Sequence, residues 1–197
     1  LAAPGLVLAF LALPRPYADW FALILFLGAS ITDYIDGQLA RAWKQETKLG
    51  AMLDPIADKA IVLSALVALA AVWQPVGWIL FPAALIVFRE VFVSGLREFL
   101  GDTAGTLKVT QLAKWKTTVQ MVAIAVLLGQ GILEHSVIER LVGMDEQVYL
   151  SIVNGLEEDA VGILWREKAM IWLRWSGVAL IWLAAVLTVI TGYDYIR

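Results

Sequence analysis

The feature that most constrains this chain is a series of long apolar stretches, each close to the length of a membrane span. A transmembrane helix needs about 20 predominantly apolar residues. Hydrophobic residues make up 60% of the 197 residues and charged residues only 17%, whereas a soluble domain has about half and a quarter. We expect spans near the following positions: Leu1–Leu13, Asp19–Ala40, Leu49–Trp73, Val76–Leu100, Lys114–Leu133 and Met170–Tyr193.

The predicted fold class is an all-α polytopic membrane protein with six transmembrane helices, forming a single domain over residues 1–197. The first helix is expected to be truncated, because the chain begins at Leu1 within an apolar run that ends at Pro14-Arg15-Pro16. The sequence contains no cysteine, which excludes disulfides and thiolate metal sites.

A segment of different character, Glu134 to Lys168, separates the last two predicted spans. It carries eight acidic residues: Glu134, Glu139, Asp145, Glu146, Glu157, Glu158, Asp159 and Glu167. Apolar residues between them recur at helical spacing. The pattern predicts short amphipathic helices that lie on the membrane surface as an insertion.

The distribution of basic residues predicts the orientation, because cytoplasmic loops are enriched in Lys and Arg. Five basic residues fall on the side of the acidic insertion: Arg15, Arg140, Arg166, Lys168 and Arg174. Ten fall on the other side: Arg41, Lys44, Lys48, Lys59, Arg89, Arg97, Lys108, Lys114, Lys116 and Arg197. We therefore expect the second side to be cytoplasmic and the insertion to be extracytoplasmic.

Four aspartates lie near the predicted cytoplasmic ends of spans two and three. Asp33 and Asp36 are three residues apart, and Asp54 and Asp58 are four apart, so each pair shares a helix face. The connection between the two spans is short, which makes them antiparallel neighbours whose acidic faces can converge. The plainer interpretation is four helix-end charges that face cytoplasmic water.

A bound divalent cation would offset the two costs of such a cluster, desolvation and mutual repulsion. One ionised Asp at the centre of a membrane helix costs about 2.5–3.5 kcal/mol, and neighbouring carboxylates also repel one another. All-oxygen sites suit Mg²⁺, Mn²⁺ or Ca²⁺. Four carboxylates are enough for two metals, an arrangement suited to phosphoryl chemistry.

The residues around the aspartates form a longer pattern. The segment reads Asp33-Tyr-Ile-Asp36-Gly37-Gln-Leu-Ala40-Arg41, then eight residues, then Gly50-Ala-Met-Leu-Asp54-Pro-Ile-Ala-Asp58. It resembles the signature of the CDP-alcohol phosphotransferases, D-x2-D-G-x2-A-R-x8-G-x3-D-x3-D, and it matches every fixed position.

The resemblance implies roles for the signature residues. Asp33, Asp36, Asp54 and Asp58 would hold two divalent cations, Mg²⁺ or Mn²⁺, and Asp58 would also take the proton of the attacking hydroxyl. The CDP moiety would contact Asp33, Gly37, Ala40, Arg41 and Gly50. The glycines lack a Cβ, so a nucleotide can approach the backbone closely, although tight helix packing is the other reading. Arg41 could instead be an ordinary positive-inside anchor.

A second stretch of the chain looks like the phosphatidylglycerophosphate synthase branch of that family. It comprises Arg89-Glu90-Val-Phe-Val-Ser94-Gly95-Leu96-Arg97-Glu98-Phe99 and, later, Ala113-Lys114-Trp115-Lys116-Thr117. Arg and Lys are suited to phosphate. We expect the phosphate of an acceptor alcohol to be held by four cations: Arg89, Arg97, Lys114 and Lys116. The two lysines could instead simply mark the start of span five.

The resemblance implies a membrane enzyme that transfers a phosphatidyl group from CDP-diacylglycerol to glycerol-3-phosphate and releases CMP. Serine, inositol phosphate and phosphatidylglycerol remain alternative acceptors. It also implies a multi-pass protein of the bacterial inner membrane that forms a homodimer among membrane lipids, with no nucleic-acid partner. A divalent-cation transporter is a competing hypothesis, but the acids cluster toward one face beside cations that would repel a metal ion.

Overall fold

The computed structural model describes the backbone of residues 2–43, 48–100 and 111–193. Within these ranges the side chains of residues 34, 36–43, 48–55, 97, 98, 100, 111, 113, 114 and 193 lie outside the description. Every regular element in the described part is an α-helix. The helices are α1 (Ala2–Ala12), α2 (Tyr17–Trp43), α3 (Lys48–Val72), α4 (Gly77–Leu100), α5 (Gln111–Leu141), α6 (Glu146–Val153) and α7 (Ile163–Tyr193).

The all-α fold class predicted from the apolar stretches is confirmed. Among the described residues, three helical segments are long and apolar enough to cross a membrane, Gly77–Leu96, Trp115–Leu141 and Ile163–Gly192, and Ala2–Ala12 is a shorter apolar helix. Many large apolar side chains also face outward, including Leu11, Phe88 and Trp172. A soluble monomer rarely exposes so much apolar surface, so the chain is a membrane protein. The count of six spans stays a prediction.

The helices that contain the fifth and sixth predicted spans are longer than those spans. The helix α5 continues past Leu133 to Leu141, and α7 already begins at Ile163, so only residues 142–162 separate them. Polar side chains there pair along the helix instead of ending it: Arg140 donates to the carbonyl oxygen of Ser136 at 2.7 Å. At the start of α7, Asp159 accepts from the backbone N–H of Ile163 at 2.8 Å and so caps the helix.

The short helix α6 is the one separate helix that the structure places between α5 and α7. Asp145 caps its start by accepting from the backbone N–H of Gln147 at 2.8 Å. The hydroxyl of Tyr149 donates to Glu167 at 3.0 Å, which ties α6 to α7. The acidic segment thus contributes its first residues to α5, its last residues to α7 and one separate helix, α6, between them. That α6 lies on the membrane surface stays a prediction.

The buried core lies along the axis of the bundle and draws on all the long helices. The most extensive helix contact is between α5 and α7, followed by α4 with α7 and α1 with α3. Because lipid tails are as apolar as Leu, close packing rather than water exclusion holds such helices together. The largest buried core residues include Leu6, Phe26, Leu66, Ile79, Ile124, Leu127 and Ile181.

A proline inside α4 leaves a backbone carbonyl oxygen available to accept a hydrogen bond from the neighbouring helix. Pro82 has no backbone N–H, so it cannot donate to the carbonyl oxygen of Trp78, four residues earlier. That oxygen instead accepts from the indole Nε1 of Trp182 on α7 at 3.1 Å. Phe81 also stacks on Trp182, with ring centroids 5.6 Å apart. The proline is thus compensated by an interhelical bond.

Gly177 on α7 controls how closely α5 and α7 approach. A Cβ built on Gly177 would lie 2.7 Å from Cδ2 of Leu127, which is buried in the core. We expect Gly177→Ala to lower the free energy of unfolding by about 1–3 kcal/mol, as overpacking does. The measurement is unfolding of the purified protein in detergent.

Gly129→Ala on α5 is the matched control, because nothing lies within 4 Å of a Cβ built there. Its stability should be unchanged or slightly higher, since Ala is a better helix former than Gly. Equal losses in the two variants would contradict the role given to the contact between Gly177 and Leu127.

Candidate active site

Two of the four signature aspartates border one cavity of about 300 Å³. Asp33 reaches it from α2 and Asp58 reaches it from α3. Its other lining residues are mostly small: Ala2, Ala3, Pro4, Ala29, Ser30, Ala57, Ala60, Ile61 and Met121. The acidic faces of α2 and α3 therefore meet at one site, where small side chains leave room for a ligand beside the carboxylates.

The remaining signature residues lie on the same two helices. Asp36, Gly37, Ala40 and Arg41 belong to α2, and Gly50 and Asp54 belong to α3, but their side chains lie outside the described residues. So do the side chains of Arg97 on α4 and Lys114 on α5. Among the side chains that are described, no group of three or more possible metal ligands occurs. The roles predicted for these six signature residues, and for Arg97 and Lys114, stay predictions.

Asp58 also borders a second and smaller cavity, of about 50 Å³. The residues that line this second cavity come from α3, α4 and α5: Asp58, Lys59, Val62, Leu63, Glu90, Lys116, Thr117 and Gln120. On one side, Asp58 thus borders the larger cavity together with Asp33. On another side it borders the smaller cavity, which several polar residues line. Asp58 is therefore common to the lining of both cavities.

Glu90 holds two of the predicted phosphate-binding cations. Its Oε1 accepts a hydrogen bond from Nζ of Lys116 and another from Nη1 of Arg89 at 3.3 Å. The side chains are mostly buried, with exposed fractions of 7% for Lys116, 11% for Arg89 and 16% for Glu90. Buried charges are stable only when they are paired. The structure therefore brings Arg89 and Lys116 together through a shared carboxylate.

Arg89 is fixed on its other side by α7. Its Nη2 donates to the hydroxyl oxygen of Thr191 at 3.2 Å, and that hydroxyl donates to the carbonyl oxygen of Leu187 at 2.8 Å. A Cβ on Gly192 would lie only 3.1 Å from Cγ of Arg89. The absence of a side chain at Gly192 lets the arginine lie flat against α7. The guanidinium is therefore held by α4 and α7 together.

Lys59, which follows Asp58, links α3 to α4. Its Nζ donates to the hydroxyl oxygen of Ser94, and that hydroxyl donates to the carbonyl oxygen of Glu90 at 2.6 Å. The turn of α3 that carries Asp58 is thereby held beside the turn of α4 that carries Glu90.

The sequence did not predict a role at this site for three residues: Glu90 as counter-ion, Lys59 and Gln120. All three are polar residues within otherwise apolar helices, which is itself a functional signal in a membrane protein. The sequence does not reveal that they face one another, because they lie on three different helices.

The comparison with known families was decisive. The sequence profile of the CDP-alcohol phosphatidyltransferases matches residues 1–190. The chain belongs to the CDP-alcohol phosphatidyltransferase family. The family predicted from the aspartate signature is confirmed. Among the described side chains of that signature, Asp33 and Asp58 border the larger cavity.

Three relatives of this family member carry the same name, CDP-diacylglycerol–glycerol-3-phosphate 3-phosphatidyltransferase. The protein from Cereibacter sphaeroides is 56% identical over 100% of this chain and 89% of its own length. That from Escherichia coli K12 is 33% identical over 98% of this chain and 85% of its own length. That from Haemophilus influenzae is 43% identical over 64% of this chain and 68% of its own length.

The ion pair between Glu90 and Lys116 can be measured by a double-mutant cycle. Glu90→Gln should lower the free energy of unfolding by about 3–5 kcal/mol, because Lys116 would remain buried without its counter-ion. Lys116→Met removes that charge, so the double variant should be more stable than Glu90→Gln alone. We expect a coupling of about 0.5–3 kcal/mol from unfolding in detergent.

The control is Glu139→Gln, which removes an exposed carboxylate paired with His135 at 3.2 Å. A change of no more than about 0.5 kcal/mol is expected there. Additive effects of Glu90→Gln and Lys116→Met would show that the two side chains do not interact in the membrane protein.

Proposed function

We propose that this protein transfers the phosphatidyl group of CDP-diacylglycerol to glycerol-3-phosphate, giving phosphatidylglycerophosphate and CMP. The observation that carries the proposal is the position of Asp58, which borders both the cavity shared with Asp33 and the cavity shared with Lys116. The relatives named above carry the name of this reaction, and the most similar of the three matches the chain over its whole length.

The reaction makes one bond and breaks another. A hydroxyl oxygen of glycerol-3-phosphate attacks the phosphorus that bears the diacylglycerol, and the bond from that phosphorus to the bridging oxygen of CMP breaks. CMP leaves with the electron pair. Asp58 takes the proton of the attacking hydroxyl, which is the work of a general base placed within hydrogen-bond reach of the reacting atom.

The donor set at the larger cavity fits a divalent cation. Asp33 and Asp58 present carboxylate oxygens to one space, and such oxygens are the ligands that Mg²⁺ and Mn²⁺ prefer. We assign Asp33, Asp36, Asp54 and Asp58 as the residues that would hold two cations. When bound, the metal would neutralise the diphosphate and stabilise the charge on the departing CMP. Asp33, Gly37, Ala40, Arg41 and Gly50 would contact the CDP.

The acceptor phosphate would bind on the other side of Asp58. Arg89 and Lys116 share one carboxylate, so the three side chains keep one net positive charge for an incoming phosphate. Arg97 and Lys114 would add to this positive charge. Arg97 lies near the C-terminal end of α4 and Lys114 near the N-terminal end of α5. Glu90 keeps the two described cations fixed before the phosphate arrives, which lowers the cost of ordering them on binding.

The location follows from the same arrangement. We place the protein in the bacterial inner membrane as a homodimer, with the aspartates facing the cytoplasm, where the excess of basic residues is expected. Glycerol-3-phosphate is charged and water-soluble, whereas CDP-diacylglycerol stays in the bilayer. A site at the cytoplasmic ends of α2 and α3 can receive both.

A test of the acceptor compares four alcohols with the purified full chain. CMP release with CDP-diacylglycerol should require Mg²⁺ or Mn²⁺. It should be fastest with glycerol-3-phosphate, the acceptor in the name that the relatives carry, and the cations around Glu90 suit its phosphate, which serine lacks. Serine, inositol phosphate and phosphatidylglycerol are the competing acceptors. Turnover with serine but not with glycerol-3-phosphate would refute the acceptor and leave the family unchanged. Metal flux into liposomes without any turnover would favour a transporter.

A second test addresses Asp58 as the base. Asp58→Asn should lower kcat by at least about 100-fold, because general-base catalysis contributes 10²–10⁴-fold. Binding of CDP-diacylglycerol should largely survive. Asp145→Asn is the control, since Asn caps a helix as well as Asp does and Asp145 lies at α6, outside both cavities. A normal rate in Asp58→Asn would exclude its role as base.

A further inference from the structure

The amide of Gln120 is a polar group of the second cavity to which the proposed chemistry gives no role. Gln120 is only 4% exposed, and its Oε1 is buried without a hydrogen bond from any residue that the structure describes. Buried polar groups are nearly always hydrogen-bonded, and each exception calls for an explanation. Burying an amide oxygen without a hydrogen bond lowers stability. The position of Gln120 therefore indicates a role beyond packing.

Gln120 lies four residues after Lys116 on α5, and the two therefore share a helix face. Both line the cavity of about 50 Å³ that Asp58 and Glu90 also border. The amide thus stands in the same small space as the proposed base and a proposed phosphate-binding cation. A ligand group that reached Gln120 would lie beside both.

The size and chemistry of this cavity limit what can bind there. A space of about 50 Å³ has room for a few water-sized groups. A hydroxyl group has the right size, and it can donate to an amide oxygen or accept from an amide nitrogen.

We propose that the Gln120 amide binds the secondary hydroxyl of the acceptor alcohol and so makes the enzyme specific for a glycerol phosphate. The inference rests on the proposed function. Glycerol-3-phosphate has a terminal hydroxyl, a secondary hydroxyl and a phosphate along one three-carbon chain. Asp58, Lys116 and Gln120 border one cavity, so an acceptor with its terminal hydroxyl at Asp58 and its phosphate at Lys116 and Arg89 would carry its secondary hydroxyl close to Gln120.

Such a contact would discriminate strongly between acceptors. A site built to hydrogen-bond a substrate hydroxyl rejects an analogue that lacks it, because the buried protein group is then left unpaired. The analogue here is 3-hydroxypropyl phosphate, which keeps the terminal hydroxyl and the phosphate but has no secondary hydroxyl. The wild-type protein should prefer glycerol-3-phosphate over this analogue by roughly 10- to 100-fold in kcat/KM.

The experiment measures CMP release by the full chain with each acceptor and reports the ratio of the two kcat/KM values. Gln120→Met keeps the volume and removes the amide, and Gln120→Leu is a second variant with the same purpose. In both, the ratio should fall to within about threefold of unity, through loss of activity with glycerol-3-phosphate. The ratio is taken on one preparation, so the fraction of folded protein cancels.

Gln130→Met is the matched control. Gln130 lies on the same helix and is 1% exposed, but it lines a separate cavity with Arg15, Trp73 and Arg174. Its ratio should remain that of the wild type. A wild-type protein that uses both acceptors equally would overturn the inference, as would Gln120 variants that lose both activities in equal proportion. A wild-type protein that uses neither acceptor would overturn the proposed function and this inference with it.

Discussion

The site depends on one carboxylate, that of Glu90, which is shared by Arg89 and Lys116. Three ionised side chains inside a helical bundle would be unfavourable separately, because each charge must be taken out of water. Together they form a buried network that joins α4 to α5, and Arg89 extends it to Thr191 on α7. The two cations are therefore held in place before any substrate arrives, and Lys116 borders the same cavity as Asp58.

The packing that supports this network uses backbone features more than large side chains. Gly192 lets Arg89 lie against α7, and Gly177 lets Leu127 approach it. Pro82 leaves the carbonyl oxygen of Trp78 for Trp182. All of these contacts involve α7, which packs against both α4 and α5. Helix α7 carries none of the predicted site residues. It nevertheless holds α4 and α5, the two helices that carry the cations.

Much of the fold was predictable because the bilayer imposes a fixed length on apolar helices. The ends of α1 to α4 fall within a few residues of the predicted spans. Helices α5 and α7 run beyond the fifth and sixth predicted spans, so Glu134 and Glu167 lie within long helices. A helix can continue beyond an apolar stretch when its polar side chains pair along it, as Arg140 does with Ser136.

The sequence by itself determined the family and the aspartates, because residues that belong to one signature lie within 26 positions of one another on two adjacent helices. It also predicted a functional role for Arg89, since a cation is costly within a membrane helix, and left Lys116 open between phosphate binding and the start of a span. Only the tertiary structure decided that Glu90 pairs with both, that Lys59 ties α3 to α4, and that Gln120 borders the cavity of Asp58. These contacts join helices far apart in the chain, and helical spacing fixes the face of one helix but not its partner.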